Sequence, residues 1–497
     1  MHPHHRIIGA IDVGTNAVRL EIARAHPDGS LETLHQERDP IRPGEGVFLT
    51  GRISPEVEEK LVTTMRRYAA LCRRYHAHLR AVATSAVREA KNGRDVVRRV
   101  RAAAGIELEV VSGREEARLI CLGVLQGRPP AARSVLLDIG GGSTEVATAV
   151  GERPSELWSV PLGAVRLTQI FSTSGRVSEA RLAALRSFSA EAFREAVPPL
   201  RARRLQAVGS SGTIEAVVGF AAQHKRATRK EIGRAVEELA GMSVTERRRR
   251  FEPRRAEIVV AGAAVLEAAM RHLDLGDITA VGTGLRNGIL VELSRRDEGR
   301  PDARSAEVLL ALGRRFQFDE PHATQVARLA LALHDRLAGV HGLPPRARVI
   351  LEAAALLHDL GHAVSVHSHH KHTYYLVANA DLPGFTDRER ELVATVARYH
   401  RRSRPGRDRR DLESLSAAEL GLVRKLVALL RVADALDRSH QQPVRDVRPE
   451  IRRGAVELKL AARGPLELEL WDAAREAGFF QRVFSRRLVL VPPRRAH

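Results

Sequence analysis

The chain has 497 residues, 44% of them hydrophobic and 28% charged, so it carries material for several cores and is too apolar to be wholly disordered. Lysine plus arginine number 80 against 60 Asp plus Glu, a net charge of +20 carried almost entirely by arginine, with lysine at only seven positions. That excess suits anionic partners or an arginine-rich solvated surface, and aromatics at 4% argue against the stacked-base platforms of nucleic-acid binders. Two cysteines, Cys72 and Cys121, are too few for a disulfide framework and fit a reducing compartment. The N-terminal MHPHHRIIGAID lacks a signal-peptide core, and the apolar window IVVAGAAVLEAAM is shorter than a membrane span. The expectation is a cytoplasmic protein without membrane attachment.

Along the chain, RIIGAIDVGTNAVRLEIARA predicts strand, Asp-Gly turn, strand, and SVLLDIGGGSTEVATAV at 134–150 repeats that form. Between them the pattern predicts helix 55–78, a strand in LRAVATSAVRE, helix 91–104, strand IELEVV and helix 114–126. Alternating strands and helices indicate an α/β architecture, and the repeated unit indicates two related lobes. Further small-residue turns follow strands at Gly209-Ser-Ser-Gly-Thr213 and at GTGLRNG, 282–288. Past a polar break at 297–304, helices are expected at 322–338, 346–360, 370–379, 387–400 and 416–438. AVELKLAAR, LELELW and RLVLVPP then predict strands in a small terminal α+β unit, while residues 403–411 and the last few residues are the only stretches that read as disordered. The domain expectation is 1–126, 127–300, 301–441 and 442–497.

Small residues in a tight turn let an anion approach backbone N–H groups, and an Asp entering the turn can hold a Mg²⁺ that bridges to phosphate. Asp12-Val-Gly14-Thr15-Asn16 and Asp138-Ile-Gly140-Gly141-Gly142-Ser143-Thr144-Glu145 both fit this, and Gly209, Ser211, Gly212 and Thr213 form a third candidate phosphate-binding turn. One such loop is commonly a plain hairpin turn; two matched loops with a third turn point to phosphate clamping.

The paired Asp-Gly loops resemble the actin-like ATPase superfamily, which includes sugar kinases and heat-shock chaperones. More narrowly, DVGTNAVRL, ATSAVREA, SGREEARL, DIGGGSTE, GSSGTIEA and GTGLRNG, in order over about 7–290, resemble the exopolyphosphatase / guanosine pentaphosphate phosphohydrolase family. Asn287 stands where that family more often has Glu. The resemblance implies two actin-like (ribonuclease H-like) lobes that hydrolyse a terminal phosphoanhydride bond with Mg²⁺ or Mn²⁺, and a homodimer. It assigns Glu116 as the base that orients water, with Asp138 and Glu145 sharing Mg²⁺ across the second turn and Arg88 gripping phosphate oxygens. Glu115 points elsewhere on its helix, so only one of the pair can serve. No Cys or Ser beside a base suggests a covalent intermediate, which favours direct attack by water.

His322, the adjacent His358 and Asp359, and Asp434 on predicted helices resemble the HD superfamily of metal-dependent phosphohydrolases. Imidazoles with carboxylates suit a transition metal or Mg²⁺. His362, His367, His369, His370, His372 and His400 crowd the neighbourhood and can supply a second metal, and Asp437 lies on the same helix face as Asp434. Long exopolyphosphatase-like proteins carry such an all-α HD-like domain, often without its full ligand set, so packing within a helical bundle is the competing reading. Arginine runs at 225–234, 247–255 and 398–410 read either as surface or as a path for a polyanion. Polyphosphate or guanosine pentaphosphate is the expected substrate, with no nucleic acid; a nucleotide-binding regulator of the helical domain is the rival from another class.

Overall fold

The computed structural model describes residues 6–26, 28–200, 205–222, 224–295, 303–365, 367–380, 382, 385, 387–406 and 412–492. The chain forms two compact units, 1–295 and 296–497.

The first unit holds two sheets of matching topology. β1 (Arg6–Val13), β2 (Val18–Ala25) and β3 (Leu31–Asp39) form an antiparallel meander, with β4 (His78–Ala83) and β5 (Leu108–Val110) parallel to β1, in the order β3-β2-β1-β4-β5. β6 (Arg133–Ile139), β7 (Thr144–Val150) and β8 (Arg153–Val160) repeat that meander. β9 (Gln206–Ser210) and β11 (Asp277–Ala280) then follow in parallel, with β10 (Arg226–Thr228) as an antiparallel edge. The duplication extends to the turns: Gly14 N–H donates to Ala17 O (3.1 Å) and Gly140 N–H to Ser143 O (2.9 Å). These are the paired actin-like lobes that the two hairpins predict.

The helix Leu285–Arg295 follows the last strand of the second lobe but packs against the first. Ile289, Leu290 and Leu293 join Ile8, Ala10 and Val82 in one buried cluster. Its partner is the helix Gly113–Val124, and the contact is backbone to backbone: a methyl group at Gly288 would lie 1.7 Å from Leu119 O. The apolar window near 258–270 forms the core helix of the second lobe, Pro253–His272, buried on almost every face. No described helix is long and apolar enough to cross a membrane. Both cysteines are free and buried.

The second unit joins helices to a small sheet. Helices Glu320–Arg336, Arg346–Leu357, His369–Asn379, Asp387–Arg398 and Ala417–Ala435 occupy the predicted stretches, the first capped by Asp319 with Pro321 in its first turn. β12 (Val444–Arg452) pairs antiparallel with β13 (Ala455–Ala462), and β14 (Arg487–Val491) lies parallel to β13. One continuous core takes Val427, Leu430 and Val432 from the helices with Val447, Leu458 and Phe480 from the terminal segment.

Two local expectations are overturned. LELELW opens the helix Glu467–Phe484, because its two-residue alternation is too short to outweigh the helical spacing of Ala473, Phe480 and Phe484 that follows. LRAVATSAVRE is a strand only as far as Ala83, after which Ser85–Glu89 turns helical and carries Arg88 sideways. Residues 407–411 and 493–497, within the stretches expected to be disordered, lie outside the described residues.

Candidate functional site

The two Asp-Gly turns face each other across a cleft of about 290 Å³ within the first unit, together with the turn 210–213 and the turn 282–287. Approach of the lobes at this point demands glycine: a Cβ at Gly141 would meet Thr15 Cβ at 2.7 Å, and one at Gly142 would meet Ser85 Oγ at 2.4 Å. Thr15 and Ser85 hydroxyls lie 2.9 Å apart beside them. Ser211 takes a φ of 85° as it enters the helix Ser211–Ala222, a backbone strain of the kind stored at functional turns.

Asp12, Glu116 and Asp138 line the cleft floor, and a fourth carboxylate, Glu145, is buried next to Glu116 and Asp138. Asp12 ends β1, and Asp138 sits directly opposite Glu145 in the β6–β7 register, as the sequence predicts. Glu116 reaches in from the first turn of helix Gly113–Val124, whose N-cap is Ser112. Burial raises Asp12 against the opposing pull of Arg19 and Arg286. It pushes Asp138 up to about 6 despite the lowering influence of the nearby Ser210 hydroxyl and of Arg19. It also pushes Glu116 up to about 7, even with Arg88 alongside. Glu145 rises well above the usual carboxylate range through burial and its neighbours Glu116 and Asp138. Asp12 Oδ1 and Glu145 Oε2 are buried and make no hydrogen bond. Buried carboxylates that lack partners and repel one another fit a divalent cation.

The placement sorts the expected residues. Asp12, Gly14, Thr15, Asn16, Glu116, Asp138, Gly140, Gly141, Ser143, Ser211, Gly212 and Thr213 line the cleft. The Gly14 and Gly140 amides are spent inside their own turns. Thr144 donates its hydroxyl to Leu162 O (2.5 Å), and a Cβ at Gly209 would strike Ile214, so those two serve packing. Arg88 donates to Val111 O (2.8 Å) and Glu116 Oε2 (3.1 Å), which places it behind the carboxylate rather than along the cleft. Glu115 turns away toward Arg118, and a buried network of Arg80, Arg118, Glu109 and Glu292 surrounds it.

Of the cationic wall, sequence reasoning marks only the 247–255 run that contains Arg255, and it misses Arg19, Arg38 and Arg286. Arg19, Arg38, Arg255 and Arg286 all line the cleft. Arg255 donates to Thr213 Oγ1 (2.8 Å), and burial with repulsion from Arg19 and Arg38 pushes it down to about 10. Burial and Arg19 lower Arg286 too. Cations crowded enough to lower one another create a site that gains by receiving an anion. Arg255 belongs to the 247–255 run, which divides three ways: Arg247 is fully buried on Ala256 O, Ser174 O and Gly175 O, Arg254 holds Pro40 O, and Arg255 faces the cleft. In the 225–234 run Arg226 pairs with Asp277 and Arg229 with Asp274 at the surface.

The histidines of the second unit form a separate cluster. His322 Nε2 lies 3.4 Å and His358 Nε2 3.6 Å from Asp434 Oδ1, and His358 Nε2 lies 3.6 Å from Asp359 Oδ2. The other oxygen, Asp359 Oδ1, is 3.3 Å from His400 Nε2, 3.4 Å from His369 Nε2 and 3.6 Å from His362 Nε2. Asp437 accepts from His322 Nδ1 (2.8 Å) and so stands behind that ring instead of replacing Asp434.

Comparison with known proteins agrees with the geometry. The sequence pattern of the Ppx/GppA phosphatase family matches residues 22–297, and that of Ppx/GppA phosphatase domain III matches 304–466. An exopolyphosphatase-like protein of solved structure is 26% identical, with a TM-score of 0.55 over 59% of this chain and 99% of its own. An exopolyphosphatase from Cytophaga hutchinsonii is 26% identical, TM-score 0.53, over 58% and 98%. The Ppx/GppA family member of Aquifex aeolicus is 26% identical, TM-score 0.51, over 58% and 98%.

Proposed function

Because the chain belongs to the Ppx/GppA phosphatase family, we propose that it is an exopolyphosphatase, removing terminal phosphate from inorganic polyphosphate at the cleft between its paired Asp-Gly turns. The observation that carries this reading is the opposition of Glu116, on the floor with Asp12 and Asp138, to the cationic wall of Arg19, Arg38, Arg255 and Arg286. Among the described residues no aromatic side chain lines the cleft, so a guanine base finds no ring to stack on, whereas a chain of phosphates finds charge throughout.

Phosphoryl transfer needs positioning and charge stabilisation more than covalent help. Asp12, Asp138 and Glu145 would hold Mg²⁺ or Mn²⁺, which when bound offsets phosphate charge and withdraws electrons from the scissile linkage. Arg255 and Arg286 bind the anionic chain, and the turns 14–16, 140–143 and 211–213 enclose its end. Glu116, raised to about 7, is poised to take a proton from water near neutral pH, and Arg88 fixes its direction. The water oxygen bonds to the terminal phosphorus, the bridging P–O bond breaks, and the shortened chain leaves with the bridging oxygen. Arg88 thus acts as a positioning residue through Glu116.

The test offers purified protein with Mg²⁺ three substrates side by side: long-chain polyphosphate, guanosine pentaphosphate and ATP. Preferential phosphate release from polyphosphate is expected. Preference for guanosine pentaphosphate would transfer the same chemistry to that substrate, and release from none would overturn the hydrolase reading in favour of a binding module.

A further inference from the structure

We propose that Arg80, Arg118 and Glu292 are positioning residues for the reaction. Acting through Glu115, they lock the helix that carries Glu116 against the helix that carries Arg286, and so hold the water-orienting carboxylate in register with the cationic wall. The inference rests on the hydrolase reading of the cleft and adds to it residues that do not touch substrate.

Two helices open on the cleft: Gly113–Val124 brings Glu116 to it, and Leu285–Arg295 brings Arg286. Successive helical residues point about 100° apart, so the rotation of a helix decides which side chain faces the reaction. On the first helix Glu116 and Ile120, one turn apart, line the cleft, while Leu119 and Leu122 join Ile289, Leu290 and Leu293 of the second in one buried cluster. Glycine stands on both helices where the backbones meet: a Cβ at Gly123 would lie 2.3 Å from Gly284 O, and Gly288 faces Leu119 O. Glycines permit that approach but offer no side chain to key the rotation, and apolar burial is non-directional.

The buried ion network supplies the direction. Arg118 donates to both oxygens of Glu115, at 2.7 Å each, and to Glu292 Oε1 at 2.6 Å. Arg80, on β4, donates to Glu292 Oε2, to Glu109 Oε2 of β5 at 2.9 Å and to Glu115 Oε1 at 3.5 Å. Each oxygen of Glu292 therefore receives a different arginine, which ties both helices to the first sheet. Arg80 and Glu115 are each only 5% exposed. Burial opposes the charge on Arg80 and Arg118, yet the surrounding carboxylates raise both above the usual arginine range. Desolvation offsets much of the attraction in such a network, so it adds little net stability, but a planar guanidinium fork fits its carboxylates in one orientation. Turning the first helix would break the bonds to Glu115 and Glu292 together. Fixing Glu115 fixes Glu116, the next residue, and a misplacement of about 1 Å costs roughly 10²-fold in rate.

The experiment compares two conservative variants of the full chain: Arg118→Lys keeps the charge and loses the fork, and Glu292→Gln keeps the shape and loses the charge. With long-chain polyphosphate at saturating Mg²⁺, kcat is expected to fall about tenfold or more in each, with KM within about threefold of wild type because the cationic wall remains. Arg118→Met is expected to lose more than Arg118→Lys, so that lysine restores part of the rate. Circular dichroism and urea midpoints establish that the variants are folded. Crystals of Arg118→Lys and Glu292→Gln are expected to show Glu116 turned from the position in which it accepts from Arg88, a readout that needs no turnover. Unchanged kcat in both folded variants, whatever their urea midpoints, or Glu116 in its wild-type place in both crystals, overturns the inference. A wild type that releases no phosphate overturns the hydrolase reading instead, and the crystals then decide the positioning by themselves.

Discussion

Replacing Glu116 by Gln separates activity from stability in opposite directions. The substitution keeps the shape and an acceptor for Arg88 but removes both the proton acceptor and an ionisable carboxylate from the cleft floor. Removing a positioned general base costs roughly 10²–10⁴ in rate, so phosphate release is expected to fall by that factor while polyphosphate binding persists. Stability is expected to rise. Glu116 is raised from 4.5 to about 7, and at pH 8 its ionisation penalises the folded state by on the order of 3 kcal/mol. Because the folded pKa is raised, the group's contribution is most favourable below about pH 4.5 and is lost as pH rises through about 7. The advantage of the Gln variant is therefore expected to be absent near pH 4.5 and to grow up to about pH 8. Urea unfolding of metal-free protein from pH 5 to 8.5, with phosphate release at each pH, measures both. A variant that stays active, or a stability difference that does not change with pH, would refute the assignment of Glu116.

Magnesium is expected to raise the melting temperature more at pH 8 than at pH 5, because Asp138, pushed up to about 6 by burial, must lose its proton to bind the cation; an equal shift at both would contradict the carboxylate site. Arg255→Ala and Arg286→Ala are each expected to raise KM for polyphosphate about tenfold or more, with salt weakening the wild type toward the variants, as steady-state assays at two ionic strengths would show. Gly288→Ala is expected to lower stability by about 1–3 kcal/mol or more, since its methyl group would lie 1.7 Å from Leu119 O; an unchanged urea midpoint would refute that packing.

What the sequence made legible is what local spacing determines. Asp12 and Asp138 announce themselves because a turn, two flanking β-branched runs and a carboxylate lie within ten residues, and Asp138 meets Glu145 through hairpin register alone. The histidine cluster was visible as crowding, but the division of His362, His369 and His400 to one oxygen of Asp359 depends on how three separate segments pack. Arg286 is invisible for a different reason, and Arg255 is visible only as one member of a run: with 80 Lys plus Arg in the chain, nothing local marks the arginine that the fold turns inward. Arg247, buried on three carbonyls, shows the same blindness in a structural role. The Leu-Glu alternation at the start of helix Glu467–Phe484 matches a strand over too few residues, and the helical spacing of Ala473, Phe480 and Phe484, all buried, decides otherwise.

Polyphosphate labelled at its terminal phosphates and incubated with Mg²⁺ tests the central claim most directly. Wild-type protein is expected to release the label as orthophosphate from the first turnovers while the remaining polymer stays long, and Glu116→Gln is expected to release almost none. Label appearing only in short oligophosphates, passing to a small-molecule acceptor, or released equally by Glu116→Gln would contradict the assignment of terminal hydrolysis to this cleft.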